Sequence, residues 1–173
     1  MDSEYVKKWG PTHLTTDIVT VIASGEDLYL VGVRRSSAPS EYALPGGFVD
    51  HGETRNQGAI RELLEETGID ASIDAYRPYL NVRRFSQLFE DDTPGRDPRA
   101  RMMTTVYGCV AKPSTPLSKG LISMALNTAF TDKEIEEVVL FDLRLNEQDE
   151  YAGMWRYDHY KLLTRALPMV SLL

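Results

Sequence analysis

Three glutamates, Glu62, Glu65 and Glu66, have the spacing that could do metal-assisted chemistry. On a helix, residues three and four positions apart share one face, so the three carboxylates lie side by side. Their mutual repulsion costs stability unless a cation lies among them, and carboxylate oxygens suit a hard cation such as Mg²⁺ or Mn²⁺. The alternative is a solvated acidic helix in which Arg61 and Glu65 form an i,i+4 ion pair.

The loop before this helix favours the metal site. Pro45-Gly46-Gly47 places flexible backbone just ahead of the helix, where amides and carbonyls can approach a metal-bound diphosphate. Glu53 comes directly before the helix and can either supply another carboxylate or bind an amide of the first turn. Together, loop and helix predict a site that holds a metal ion beside linked phosphates.

The residues from Gly47 to Ile69 resemble the Nudix box, with Gly, Glu, Arg-Glu, an aliphatic residue, Glu-Glu, Gly and an aliphatic residue in order. Membership of the Nudix hydrolases implies an α/β (α+β) fold, a three-layer αβα sandwich with a mixed β-sheet. It also implies that Mg²⁺ or Mn²⁺ is bound by Gly47, Glu53, Glu62, Glu65 and Glu66. The expected catalytic residues are Glu65 and Glu62, with Arg61 orienting the glutamates. The catalytic base stays open between a box glutamate and an acid on a distant loop, for which the chain offers Glu147, Asp149 and Glu150.

Other elements are predicted from periodicity and turn residues. Residues 17–23 and 28–33 are predicted as strands of a hairpin, because residues 24–27 have turn chemistry. The glutamate helix is predicted over residues 54–67, with Gly68 as its stop and with Ile60 and Leu64 docking it to the sheet. Further expectations are strands over 72–84 (interrupted by Pro78), 102–111 and 137–143, a loop over 90–98 and a C-terminal helix over 157–167. Residues 120–126, within the long segment 112–130, are compatible with a strand or a helix.

The whole chain has the composition of one globular domain, residues 1–173. A net charge of −7 argues against a protein that holds nucleic acid on a broad basic surface. The lone Cys109 excludes an intramolecular disulfide and is predicted to be a small buried hydrophobe. No signal peptide or membrane-spanning run is evident, so we expect a cytoplasmic protein. Dimers among the Nudix relatives make a homodimer an expectation.

The segment from Gly95 to Arg101 carries the main indication of substrate. Arg96, Arg99 and Arg101 surround a rigid Asp-Pro and could clamp an anion, since a guanidinium binds phosphate in bidentate fashion. The alternative is a loop whose arginines pair with Asp97 and nearby acids. An Arg-Asp-Pro-Arg loop before a strand resembles ADP-ribose pyrophosphatases, the Nudix domain of bifunctional nicotinamide mononucleotide adenylyltransferases and ADP-ribose-sensing regulators of NAD metabolism. The substrate-binding residues expected on this basis are Arg34, Arg96, Arg99, Arg101, Gly46, Gly47 and Phe48.

Several residues keep two interpretations. Ala100 stands where that loop usually carries Gly, and Thr131-Asp132-Lys133-Glu134 replaces a more usual Gly-Asp-Asp stretch. His159 is either a capping and packing residue or part of the site. The aromatic residues that could stack on adenine, although each could equally belong to the core, are Phe48, Phe85 and Tyr107.

The resemblance implies hydrolysis of ADP-ribose to AMP and ribose 5-phosphate. A nucleotide sugar, a dinucleotide or a damaged nucleoside triphosphate is the alternative substrate, since box chemistry alone does not separate these compounds. A third possibility is a non-catalytic ADP-ribose sensor, although all the box glutamates are present.

Overall fold

The computed structural model describes residues 11–72 and 80–170. Its seven strands are β1 (Thr12–Ser24), β2 (Asp27–Arg35), β3 (Ala38–Ala43), β4 (Gly46–Phe48), β5 (Asn81–Asp91), β6 (Arg101–Lys112) and β7 (Ile135–Asp142). The helices are α1 (Arg55–Thr67), α2 (Lys119–Asn127), α3 (Glu147–Glu150) and α4 (His159–Val170), with a 3₁₀ turn at Ala152–Met154. Among the described residues, no helix is long and apolar enough to cross a membrane.

The strands form one mixed sheet, as predicted. Its main order is β3-β2-β1-β6-β5, while β4 pairs with one end of β1 and β7 pairs with β2. β1 and β6 run parallel over their whole length. The other strand pairs are antiparallel.

Helices cover both faces of the sheet, which confirms the three-layer architecture. Alternate residues of a strand point to opposite faces, and β1 follows this rule. Ile18 and Ile22 pack with the apolar side chains of α1 and α2. Val19 and Val21 pack with those of α4. Cys109 is fully buried on the α1 side, as predicted, and burial raises the pKa of its thiol to about 12.

Local signals placed the ends of several elements correctly. The first hairpin closes with Ser24 opposite Asp27, so the predicted turn is confirmed. Helix α1 is preceded by the N-cap Thr54, whose hydroxyl accepts from the Gln57 amide in a capping box. It ends at Gly68, whose left-handed backbone has φ of 74°. Residues 120–126 belong to a helix, α2, whose N-cap is Ser118.

Two expectations about these elements were wrong. The residues that α1 buries are not Ile60 and Leu64, which are half-buried, but Gly58, Ala59, Leu63, Glu66 and Thr67. Compared with the predicted orientation, α1 is rotated about its axis, so that Glu66 points inward to polar partners. The strand expected over 72–84 begins at Asn81 and continues to Asp91, and its residues 73–79 lie outside the described residues. Because β5 is an edge strand, which among the described strands pairs with β6 alone, it carries polar side chains that resemble a loop in sequence.

Gly68 offers a test of this packing. Replacing it by Ala should lower the free energy of unfolding by at least about 1 kcal/mol, because a left-handed backbone disfavours a Cβ. That Cβ would also lie 2.3 Å from the Cβ of Ala129. Urea unfolding measures the loss.

Gly120→Ala is the matched control, since a Cβ at this helical position meets nothing within 4 Å. It should be neutral or stabilise the protein by up to about 1 kcal/mol. Equal stability of Gly68→Ala and the wild type would contradict the proposed role of Gly68.

Candidate active site

A cavity of about 750 Å³ opens at the end of the sheet where β1 meets β4. Its two walls come from different layers. The α1 side contributes glutamates of the helix and the segment 131–134, and the α4 side contributes the loops 96–99 and 156–159. Residues that line it include Thr16, Asp17, Arg35, Gly46, Gly47, Phe48, Glu62, Glu65, Arg96, Asp97, Arg99, Lys133, Arg156, Tyr157, Asp158 and His159.

A glycine is required where β4 passes the glutamate helix. A Cβ on Gly47 would lie 2.5 Å from Oε1 of Glu62, so any side chain there would displace that carboxylate. The main chain of β4 therefore lies directly against a carboxylate of α1. The Pro45-Gly46-Gly47 run predicts that this backbone approaches a metal-bound diphosphate, and here its nearest neighbour is the Glu62 carboxylate.

Arg61 is the centre of a network of carboxylates. Its guanidinium donates to Glu53 (2.7 and 3.1 Å), Glu62 (2.8 Å) and Glu65 (3.2 Å). It also donates to the carbonyl oxygen of Phe48, at 3.0 Å. The pKa of Glu53 is lowered, mainly by its hydrogen bonds from Arg61. The pKa of Glu62 is raised because burial outweighs its pairing with Arg61. Arg61 thus holds three box carboxylates together and ties them to β4.

Glu66 faces the opposite way, into the protein. Its side chain is fully buried, accepts from the Gly46 amide at 2.8 Å and forms an ion pair with Arg35. Arg35 also donates to the carbonyl oxygen of Gly46, at 3.0 Å. Burial raises the pKa of Glu66 to about 8, while Arg35 and the Gly46 amide act to lower it. Glu66 therefore links α1 to the glycine turn, and it does not share an open face with Glu62 and Glu65.

The donor set fits a hard divalent cation in chemistry. Four glutamates (Glu53, Glu62, Glu65 and Glu66) are paired with two arginines here, so oxygen ligands and negative charge are both in excess. Within residues 11–72 and 80–170, no three His, Cys, Asp or Glu side chains converge as a preformed metal site. Arg61 lies between the carboxylates instead, so metal binding would require these ion pairs to rearrange.

The α4 wall carries arginines that pair with aspartates. Arg96 is almost fully buried and donates twice to Asp158, at 2.9 Å each. Arg99 donates to Asp97, at 2.6 to 3.2 Å. These two guanidiniums line the cavity, as expected of an anion clamp, but their hydrogen bonds go to carboxylates of the protein.

Asp17 and His159 complete this wall. Asp17 is buried and accepts from the Thr104 hydroxyl at 2.7 Å. The Leu44 amide donates to Nδ1 of His159 at 2.9 Å, so that nitrogen carries no proton. Burial lowers the pKa of His159, which agrees with a neutral ring. His159 is mostly buried by its neighbours and also lines the cavity. The structure is therefore compatible with a packing role and with a role in the site.

Aromatic rings alternate with guanidiniums along the rim. Arg99 lies 4.8 Å from the ring centroid of Tyr157 and 5.8 Å from that of Phe48. Phe48 is 45% exposed, which leaves its ring accessible from the cavity. Phe85 and Tyr107 stack on each other within the α1-side core, which agrees with their core interpretation.

The expected site residues are only partly brought together. Those that line the cavity are Gly46, Gly47, Phe48, Glu62, Glu65, Arg96 and Arg99, whereas Glu53, Arg61 and Glu66 lie directly behind its wall. Arg34 lies elsewhere and pairs with Glu136 and Glu137, and Arg101 lies 3.7 Å from Asp92. The three loop acids also lie away from the cavity lining: Glu147 pairs with Lys119, Asp149 accepts from Tyr160, and Glu150 belongs to α3.

Cavity residues that were not assigned to the site from sequence include Asp17, Arg35, Arg156 and Tyr157. Arg35 is adjacent to Arg34 in sequence. Alternate residues of a strand face opposite ways, so Arg34 and Arg35 cannot both face the cavity. Strand periodicity could therefore have shown that Arg35 was as good a candidate as Arg34. Tyr157-Asp158-His159 resembles the same Nudix relatives as the Arg-Asp-Pro-Arg loop, but neither Arg156 nor Tyr157 received a role from sequence, and the fold brings both to the cavity.

Comparisons with known proteins agree with this architecture. The family model described as NUDIX domain matches residues 11–163. The chain is 35% identical over 102 residues to a putative nudix hydrolase 6 of Caenorhabditis elegans, covering 58% of the chain and 38% of that protein. It is 33% identical over 84 residues to an ADP-ribose pyrophosphatase of Methanocaldococcus jannaschii, covering 47% and 43%. The chain therefore spans less than half the length of these curated relatives.

Solved structures share the fold. A bifunctional NMN adenylyltransferase/ADP ribose pyrophosphatase from Francisella tularensis superposes with a TM-score of 0.63 at 23% identity, covering 95% of the chain and 44% of that protein. The NUDIX domain of Shewanella oneidensis NrtR, in complex with ADP ribose, superposes with a TM-score of 0.62 at 20% identity, covering 98% and 99%.

The Arg61 network predicts a pH-dependent loss of stability. In buffer with a chelator, Arg61→Ala should lower the free energy of unfolding by about 1.5–3 kcal/mol at pH 7, because three carboxylates lose their shared donor. Glu53 has a lowered pKa when folded, so its pairing stabilises the protein above the ordinary carboxyl pKa and is lost as pH falls through the folded value. The loss should therefore be smaller at pH 3, as measured by urea unfolding at both pH values.

Arg144→Ala removes an exposed pair with Asp27 and is the control, with an expected change under about 1 kcal/mol. The same loss for Arg61→Ala at pH 3 and pH 7 would show that charge pairing is not the cause.

Proposed function

The chain belongs to the NUDIX domain family, and on that premise we propose that it is a divalent-metal pyrophosphohydrolase that cleaves ADP-ribose to AMP and ribose 5-phosphate. The observation that carries the proposal is the two-sided cavity. One wall has box glutamates that suit a hard cation, and the other has arginines and aromatic rings that suit a nucleotide. The name of the archaeal relative and the bound ADP ribose of the NrtR domain support the choice of substrate.

The proposed reaction adds the oxygen of water to one phosphorus atom of the diphosphate. The bridging P–O bond breaks, and the second phosphate leaves with the bridging oxygen. Mg²⁺ or Mn²⁺, held by Glu53, Glu62, Glu65 and Glu66 with the Gly47 carbonyl, would neutralise the diphosphate and lower the pKa of the attacking water. This ligand set requires Glu66 to exchange its inward partners for the metal.

The protein's own groups have distinct roles in this proposal. Glu65 is the most exposed of the box carboxylates and lines the cavity, so it is our choice for the group that accepts a proton from water. Glu62 has a raised pKa, which makes it the second possible base. Arg61 orients both carboxylates through its hydrogen bonds. Phe48 offers an accessible ring on which adenine can stack.

A non-catalytic ADP-ribose sensor is the second proposal. It is favoured by one observation: the box carboxylates Glu53, Glu62 and Glu66 form ion pairs with arginines. Such a protein would bind ADP-ribose and release no AMP.

Turnover of a substrate panel separates these proposals. The protein with Mg²⁺ should release AMP from ADP-ribose faster than it cleaves nucleotide sugars, dinucleotides or oxidised nucleoside triphosphates, as measured by chromatography of the products. Cleavage of another compound while ADP-ribose is spared would refute the substrate, and ADP-ribose binding without any cleavage would establish the sensor.

Glu65→Gln tests the role of the exposed box glutamate. We expect kcat to fall roughly 10²- to 10⁴-fold with little change in unfolding midpoint, because an amide cannot accept the proton and is a weaker metal ligand. Glu136→Gln, a half-exposed glutamate outside the cavity, is the control and should retain wild-type kcat. Near-normal turnover by Glu65→Gln would remove Glu65 from catalysis.

A further inference from the structure

Three of the arginines that line the cavity are already paired with carboxylates of the protein. Arg35 binds Glu66 and the Gly46 carbonyl oxygen. On the α4 wall, Arg96 is held by Asp158 and Arg99 by Asp97. A phosphate that approached these side chains would compete with a carboxylate that is already in place.

Arg156 differs from these arginines. Its Nη1 atom is buried and has no hydrogen-bond partner among residues 11–72 and 80–170, while Nη2 donates to the Tyr157 hydroxyl at 2.8 Å. The Nε atom lies 3.8 Å from a Glu41 carboxylate oxygen, beyond hydrogen-bonding distance. A buried guanidinium nitrogen without an acceptor is costly and rare, so its retention calls for a physical reason.

The backbone at this position is held firmly while the guanidinium is not. The Arg156 amide donates to the Tyr42 carbonyl oxygen at 2.7 Å, and Trp155 forms a bridge with Tyr42 of β3. Tyr157 has a left-handed backbone (φ 51°), a conformation that non-glycine residues keep only where the surroundings impose it. The root of the side chain is thus fixed at the cavity. Among the described residues the guanidinium makes one hydrogen bond, to Tyr157, and one longer ion pair, with Glu41, so turning it toward the cavity sacrifices little.

We propose that Arg156 is a substrate-binding residue that donates to a non-bridging phosphoryl oxygen, so that it selects phosphorylated nucleosides over unphosphorylated ones. The Tyr157 ring, 4.8 Å below the guanidinium, supports its plane in the bound state. A phosphoryl oxygen brings the acceptor that Nη1 lacks, together with a negative charge that no carboxylate supplies at hydrogen-bonding distance. The inference rests on the proposed function for the identity of the ligand, but it concerns binding and not turnover.

The test compares AMP with adenosine by isothermal titration calorimetry in buffer with EDTA. The wild type should bind AMP more tightly than adenosine. Arg156→Ala should weaken AMP binding by about 10- to 100-fold and leave adenosine binding unchanged. Arg156→Lys, which keeps the charge and loses the planar fork, should fall between them. Arg144→Ala, an exposed arginine outside the cavity, should match the wild type for both ligands.

Three outcomes would overturn the proposal. The first is that Arg156→Ala weakens AMP binding and adenosine binding equally, which would indicate a packing role alone. The second is an unchanged AMP affinity in Arg156→Ala, and the third is a wild type that binds AMP no more tightly than adenosine. If Arg156→Ala does not fold by thermal unfolding, the Arg156→Lys comparison decides. Because no metal or turnover is involved, a protein that spares ADP-ribose in the substrate panel can still show the Arg156-dependent preference, and the two failures are distinguishable.

Discussion

The structure depends on how four carboxylates are kept close together at one helix. Like charges at this spacing repel, and burial of Glu66 adds a desolvation cost. Two arginines offset these costs by separate routes. Arg61 lies among the glutamates near the cavity and also binds the carbonyl of Phe48, whereas Arg35 reaches Glu66 from the sheet side. The glycine turn of β4 allows both arrangements, because any Cβ at Gly47 would occupy the place of the Glu62 carboxylate.

The parts of the fold that could be predicted are those set by neighbours in sequence. Thr54 and Gly68 mark the ends of α1 by bonding to backbone groups within one turn, and the first hairpin turns where its residues permit a left-handed glycine. The spacing of Glu62, Glu65 and Glu66 likewise places them on one helix without reference to any other element, and all three lie on α1. The mixed sheet and its helical layers were expected for a different reason, namely that residues 47–69 resemble the Nudix box and members of that family share this fold.

What could not be predicted depends on partners far along the chain. No residue near Glu66 in sequence indicates that its carboxylate will bind Arg35 and the Gly46 amide. This inward orientation changes which residues of α1 face the sheet. Arg96 looked available for an anion until the fold brought Asp158, 62 positions later, against it. The continuation of β5 beyond residue 84 was not predicted, because an edge position removes the alternation of apolar residues on which recognition depends.

The end of β1 has a consequence for how such a protein can diversify. Thr16 and Asp17 are consecutive, so their side chains leave opposite faces of the sheet, yet both border the same cavity. A ligand that fills the cavity therefore contacts residues from both layers. The α1 layer and its glutamates can stay constant while the short loops of the opposite layer are exchanged. Substitutions in residues 96–99 and 156–158 can thus reshape the cavity without changing the glutamate helix.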